Sequence, residues 1–203
     1  MPQSVWPKSV AIQIEPLAPF ASIDMLRTWL GEPELPELEA KILLEMGSDA
    51  VRAEVGQTIN FVNNDNVSLD GRNSPLVQLP EIEVTEVTEV TLNDKPLAFV
   101  RDYLWDSAGN LWRTYRSASL YSVWPKLPRC INVTYSHGWL EGSPQWLMAQ
   151  RVTLEVISRM RRNPEMLQSE RIGDWSRAFV PTAGRSELTP TEKRALDRLR
   201  LER

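Results

Sequence analysis

The sequence has little of what metal sites and most catalytic centres require. A single Cys, Cys130, excludes an internal disulfide framework and any multi-cysteine metal site within one chain. A single His, His137, excludes His-pair metal motifs. Glycine is scarce, 9 residues against 15 Pro in a chain of 203, and neither a Gly-rich phosphate loop nor a dinucleotide fingerprint is present. No segment approaches the ~18 apolar residues of a membrane span. The most apolar late stretch, Trp146 to Met160, is interrupted by Arg151, Glu155 and Arg159. Pro2, Pro7, Pro16 and Pro19 leave no apolar core for a secretory signal, so the expected place of synthesis is the cytoplasm.

What is present fits one compact unit with extended arms. The hydrophobic fraction is 42% and the charged fraction 25%, enough apolar material for a real core. Charge is unevenly spread. Residues 151–203 carry 12 Lys/Arg against 8 Asp/Glu, whereas residues 1–150 carry 11 against 19. The basic C-terminal part is therefore a candidate for docking on an acidic partner. The acidic remainder would repel phosphates and argues against a general DNA-binding domain.

Residues 1–21 read as an extended arm, because proline fixes φ and restrains its predecessor. Its apolar members, among them Val5, Trp6, Val10 and Ile14, are expected to lie along this chain or a neighbouring copy. Ser22 caps a short helix over 23–30, with Asp24 in its first turn and Gly31 behind it. An acidic helix follows from Pro36 to about Gly56. Its stripe of Leu38, Ile42, Met46, Ala50 and Ala53 is expected to face the core, with Glu37, Lys41, Glu45 and Arg52 opposite.

A β region is expected over 67–136. Asn63 to Asn66 reads as a turn, and Leu76 to Leu79 as a short strand. The segment from Ile82 to Leu92 is rich in β-branched residues, which argues strand. Val84, Val87 and Val90 recur every three residues, so a bulge that switches the buried face is required. Asn93-Asp94 is a turn, with Leu97 to Tyr103 pairing back. Further strands are expected near Leu111–Tyr115 and Leu120–Trp124, and Cys130 to Tyr135 alternates as a half-buried strand. Ser143 and Pro144 then open a long helix over 144–162, with Gln145, Ala149, Val152, Val156 and Met160 on one side. Asn163-Pro164 stops it, and a loop centred on Ile172 to Trp175 follows. Thr189-Pro190-Thr191-Glu192 is a capping box for a last helix running to Arg203. The order gives an α+β fold: a small helical bundle with an inserted antiparallel β region and a C-terminal arm, residues 164–203, that ends in a helix.

Nothing in this pattern forms a catalytic constellation. His137 beside Gly138 and Trp139 reads as a strand-end residue, and Cys130 as a small buried one. No catalytic, cofactor-binding or metal-binding residue is assigned, and no cofactor is expected. Eight Trp is a high count, and the residues are scattered, which reads as core and interface anchoring. Sugar stacking by these tryptophans, as in a tail or baseplate carbohydrate-binding module, is the alternative, and a hydrolase built on unrecognised carboxylates a third.

The order of the pieces resembles the head-to-tail adaptor (connector) family of tailed double-stranded-DNA bacteriophages. The matching pieces are the two helices within Ser22–Gly56, Leu69-Asp70-Gly71 with Leu76 to Pro80, and the valine ladder ending at Asn93-Asp94. They continue with the strand Ile131 to Gly138 before Pro144, then Ser169 to Ser176 and Leu188 to Glu192. This resemblance implies a structural virion protein without enzyme activity. It implies a twelve-subunit ring beneath the portal at the capsid vertex, whose lumen passes the genome without sequence-specific binding. It also implies contacts with the portal and with stopper or other neck and tail proteins. An acidic lumen would suit DNA passage, because repulsion prevents sticking. Within this expectation the portal contact falls in the C-terminal segment, on Trp175, Arg177, Phe179, Arg194, Leu196, Arg198 and Leu199. The apolar members of that set have no evident partner in their own chain. Contacts between subunits are expected in the β region, with Trp105 and Trp112 as anchors on exposed sheet edges.

Overall fold

The computed structural model describes residues 17–115, 122–162, 169–172, 175–178 and 187–200. It is an α+β fold, in which the described residues form four α-helices and antiparallel β-sheets. Helix α1 spans Ile23–Leu30 and helix α2 spans Glu37–Val55. The Ser22 hydroxyl accepts from the Met25 amide at 3.2 Å, and Gly31 ends α1 in the left-handed region, as its sequence predicts. Helix α3 spans Pro144–Arg162 and is opened by Ser143, whose hydroxyl accepts from the Trp146 amide at 3.3 Å. The predicted stripe of α3 is buried at Ala149, Val152, Val156 and Met160, while Gln145 is exposed.

Helix α2 departs from the sequence expectation. Its buried face is Ala40, Leu44, Gly47, Ser48, Val51 and Val55. Most of the stripe assigned to the core points outward: Leu38 is 71% exposed, Ile42 46% and Met46 43%, and Ala53 is exposed too, whereas Ala50 packs against the core. The helix has two apolar faces at helical spacing, and small residues decide which one is inward. An added Cβ at Gly47 would lie 2.8 Å from Ile157 Cγ1 of α3, so the backbones approach there as only glycine allows. α1 runs alongside α3 in the same direction. The Gln150 amide donates to the Phe20 carbonyl at 2.8 Å, the Trp29 indole donates to Ser158 Oγ at 2.8 Å, and Arg161 reaches Glu32 at 2.9 Å.

The larger sheet has the order β1-β7-β3-β4, formed by Val62–Leu69, Ile131–His137, Glu86–Leu92 and Lys95–Pro96. The predicted turn at Asn63 to Asn66 is instead the start of β1. A register shift between Val62 and Asp65 absorbs the asparagines, with Asn64 at φ 53°. Ser136 Oγ donates to Asn63 Oδ1 at 2.9 Å and accepts from the Asn64 amide at 3.2 Å, which ties this bulge to β7. The bulge required by the valine spacing is present: the β3–β7 register shifts between Val87 and Glu89. Val84 and Val90 are thereby buried on the same core. Asn93 and Asp94 both have positive φ and close the β3–β4 turn, as Asn and Asp tolerate. Lys95 and Pro96 pair back there, and the Leu97 amide donates to the Val90 carbonyl at 2.8 Å.

The smaller sheet has the order β2-β6-β5, formed by Leu76–Gln78, Asn110–Arg113 and Tyr103–Trp105. The expected strand at Leu120–Trp124 falls partly outside the described residues, and Trp124 makes a single bridge to Ser74. The segment expected as a loop around Ile172 and Trp175 holds a hairpin of β8, Ser169–Ile172, and β9, Trp175–Ala178. Its sequence signal is the two-residue Gly173-Asp174 step between apolar residues. Helix α4 spans Pro190–Leu196 and ends in a 3-10 turn, Asp197–Leu199, so it is shorter than expected.

Candidate docking surfaces

Cys130 is buried, with Sγ 3.8 Å from the Pro125 carbonyl. His137 is 2% exposed, stacked on Tyr135 at 4.9 Å and 3.4 Å from Asp65 Oδ2. Burial pushes the Tyr135 phenol up, keeping it neutral beside that histidine. Among the described residues no group of three His, Cys, Asp or Glu side chains is placed to hold a metal ion.

The C-terminal helix is built onto the body. Thr189 and Glu192 form the predicted capping box, with the Thr189 amide donating to Glu192 Oε2 at 2.6 Å. Arg159 of α3 grips the same carboxylate with two bonds, at 2.7 and 3.1 Å, and also donates to the Glu187 carbonyl at 2.8 Å. Burial alone would push the Glu192 carboxyl up. The hydrogen bonds from Arg159 and from Thr189 outweigh it and hold the group below the usual carboxylate range. Glu54 of α2 pairs with Lys193 at 3.0 Å and also with Arg200.

This geometry sorts the residues expected at a portal contact. Leu196 and Leu199 are fully buried, together with Leu188, in the core that contains Phe20, Trp146 and Met160. They do have partners within the chain, contrary to the expectation, because Leu188, Glu192, Leu196 and Leu199 recur at helical spacing on one face. Arg194 and Arg198 lie on the other face and are exposed. Trp175 and Arg177 belong to β9, paired with Ile172 and Glu170. Phe179 lies outside the described residues. Most of the N-terminal arm also lies outside them, but its end is core. Phe20 is fully buried, meets Trp146 edge-on at 6.5 Å and lies under the Arg52 guanidinium at 4.6 Å.

The two tryptophans expected between subunits point in opposite directions. The register sets Val77, Leu111 and Trp105 in one row and Leu76, Trp112 and Leu104 in the next. Successive residues of a strand face opposite sides. Trp105 therefore packs inward on the β core, while Trp112 sits on the outer face with the 38%-exposed Leu76.

The fold is similar to that of a gene transfer agent protein. A chain in the virion of a native gene transfer agent (GTA) particle aligns with a TM-score of 0.51 and 18% identity over 90% of each chain. A chain in the neck of an empty GTA particle aligns at 0.49 with 17% identity over 90% of each. A chain in the neck of a native GTA particle aligns at 0.44 with 17% identity, covering 92% of this chain and 95% of that one. No protein-family profile and no curated protein matches the sequence. At this identity the first likeness establishes a shared fold, and it extends over most of the chain.

Among the described side chains the tryptophans form no common platform for stacking. Among the described side chains Trp124, Trp139 and Trp146 are buried and Trp105 and Trp112 half-buried, which leaves Trp29, at 50%, as the exposed one.

Proposed function

We propose that this chain is a structural protein of the neck of a phage-like particle, a head-to-tail adaptor that forms a ring under the portal and joins the capsid vertex to the tail. The observation that carries the reading is the fold shared over 90% of both chains with a virion protein of a GTA particle. The order of sequence pieces described above supports it independently. In this role the genome passes through the ring, and the acidic body keeps it from adhering. The portal contact uses the outer face of α4, where Arg194 and Arg198 are exposed, together with the segment that holds Trp175, Arg177 and Phe179. Arginines around apolar anchors are the composition of a docking site. Leu196 and Leu199 serve instead to fix α4 on the body. Trp112, in the outer row with Leu76 and Leu104, contributes to contact between neighbouring subunits.

The test is copurification of the full chain with the portal protein of the same particle, followed by microscopy of the complex. A ring of this protein against the portal is the expected result. Absence of the chain from purified particles and failure to bind portal would sink the adaptor reading. Arg194→Glu with Arg198→Glu is expected to weaken portal binding at unchanged melting temperature, and unchanged affinity would remove α4 from the contact.

A further inference from the structure

The outward stripe of α2 lies where the chain's own N-terminal arm enters the body. Leu38, Ile42 and Met46 recur four residues apart and are exposed, whereas a helix that covers only its own core carries polar residues there. Ser48 and Arg52 lie one turn apart on the border between this stripe and the buried face, Ser48 buried and Arg52 half-buried. The Ser48 hydroxyl accepts from the Phe20 amide at 3.1 Å. Arg52 donates to the Ala18 carbonyl at 2.5 Å, and the Asn60 side chain donates to the same oxygen at 3.1 Å. Followed back from Phe20 to Ala18, the chain therefore moves from the buried edge of α2 toward its outer side. It arrives there with Leu17 39% exposed, and residues 1–16 lie outside the described residues. Lys8 to Glu15 is the longest proline-free run of that arm, and in it Val10, Ile12 and Ile14 alternate with Ala11, Gln13 and Glu15. Such a segment, when extended, presents one apolar edge.

We propose that this segment lies extended along the outer face of its own α2, with Ile14, Ile12 and Val10 over Met46, Ile42 and Leu38. The spacings match. Alternate residues of an extended chain are about 6.6 Å apart, and residues four apart on a helix about 6 Å. The reach matches too. Four extended residues from Ala18 to Ile14 span about 13 Å, and Arg52 to Met46 covers about 9 Å along the helix axis. Charge does not select the occupant: residues 1–16 have Lys8 and Glu15 as their only charged side chains, and Lys41, Glu45 and Asp49, of both signs, border the stripe. The tether does select it. Three residues, Glu15 to Leu17, connect Ile14 to the anchored Ala18, which holds the segment beside the stripe at an effective concentration of about millimolar. A partner that needs the stripe must first displace the arm, so the arm also guards an apolar surface against unwanted association. The inference concerns a single chain and does not depend on the adaptor reading.

The experiment uses the full chain with Cys130→Ala as background, so that introduced cysteines are unique. Ile12→Cys and Ile42→Cys are made singly and together and treated with a short bismaleimide. An arm on its own body predicts that the double variant becomes a monomer carrying one linker and no free thiol, in a yield independent of protein concentration. Ile12→Cys with Phe61→Cys is the control, because Phe61 is also exposed and adjoins the Asn60 that holds Ala18. Cross-linking to Ile42→Cys is expected to exceed that to Phe61→Cys by more than about tenfold in rate. Equal rates would mean an arm without a fixed seat, and dimers from a mixture of the single variants would mean a second copy on the stripe. Either result, or no cross-linking in the Ile12→Cys/Ile42→Cys variant, overturns the proposal. A second measurement needs no cysteine. Ile12→Asp and Ile42→Asp should each lower the melting temperature by about 2 °C or more, and together by little more than the larger of the two, because both remove one contact. An Ile12→Asp chain that melts like the parent, or additive shifts, would equally overturn it.

Discussion

Gly138 turns the chain out of β7 at φ 87°, and an added Cβ would lie 2.2 Å from the Asn60 carbonyl oxygen. Both conditions act against any side chain, and the obstructing atom is backbone. Gly138→Ala should therefore destabilise the protein by about 3 kcal/mol or more, read from denaturant unfolding. An unchanged midpoint would contradict the close approach. At Gly47 two effects compete. Alanine gains about 1 kcal/mol of helix propensity, but the Cβ overlaps buried Ile157 and overpacking costs about 1–3 kcal/mol. The net expectation for Gly47→Ala is a small loss, and a gain would show that α3 yields. Glu192 gives a pH signature. Its folded pKa lies below the unfolded value, so its contribution is complete above the usual carboxylate range and is lost as pH falls through the folded value. Wild type should lose stability more steeply than Glu192→Gln below about pH 4 in a urea series. Equal slopes would mean that the Arg159 pair contributes nothing.

At the scale of elements, α4 shows how a short helix is held. It has 7 residues, too few to persist alone, and its order comes from docking. Leu196→Ala should destabilise the whole protein by about 2–5 kcal/mol, because the side chain is fully buried in the shared core. Arg194→Glu, on the other face, should leave the unfolding free energy within about 0.5 kcal/mol of wild type. A mild effect of Leu196→Ala would indicate that α4 detaches without disturbing the body. The caps of α1, α3 and α4 were legible because each depends on residues within one turn. The inward face of α2 was not, because both of its faces are apolar at helical spacing and only packing against α3 separates them.

For the whole molecule, the C-terminal region is both structural and, in the proposed role, a contact. Removing residues 186–203 would take Leu188, Leu196 and Leu199 out of the core around Phe20, Trp146 and Met160. Such a truncation is expected to lower the melting temperature as well as portal binding, so it does not isolate the contact as surface arginine changes do. A truncated chain that melts like wild type would mean that this packing adds little.

Features governed by near neighbours are legible in the residues alone: the capping residues, the Asn93-Asp94 turn, the buried stripe of α3 and the bulge that Val84, Val87 and Val90 demand. Periodicity and local hydrogen bonding suffice for these, because their partners are a few residues away. The tertiary structure alone decided which side of α2 is exposed, that the Asn63 to Asn66 run begins a strand, and that Leu196 and Leu199 close the core. Each of those depends on a distant segment: Ile157 against Gly47, Ser136 against the Asn63 bulge, and Trp146 with Met160 in the core that receives α4. An apolar stripe or a polar run is consistent with more than one partner, and only the folded chain selects one.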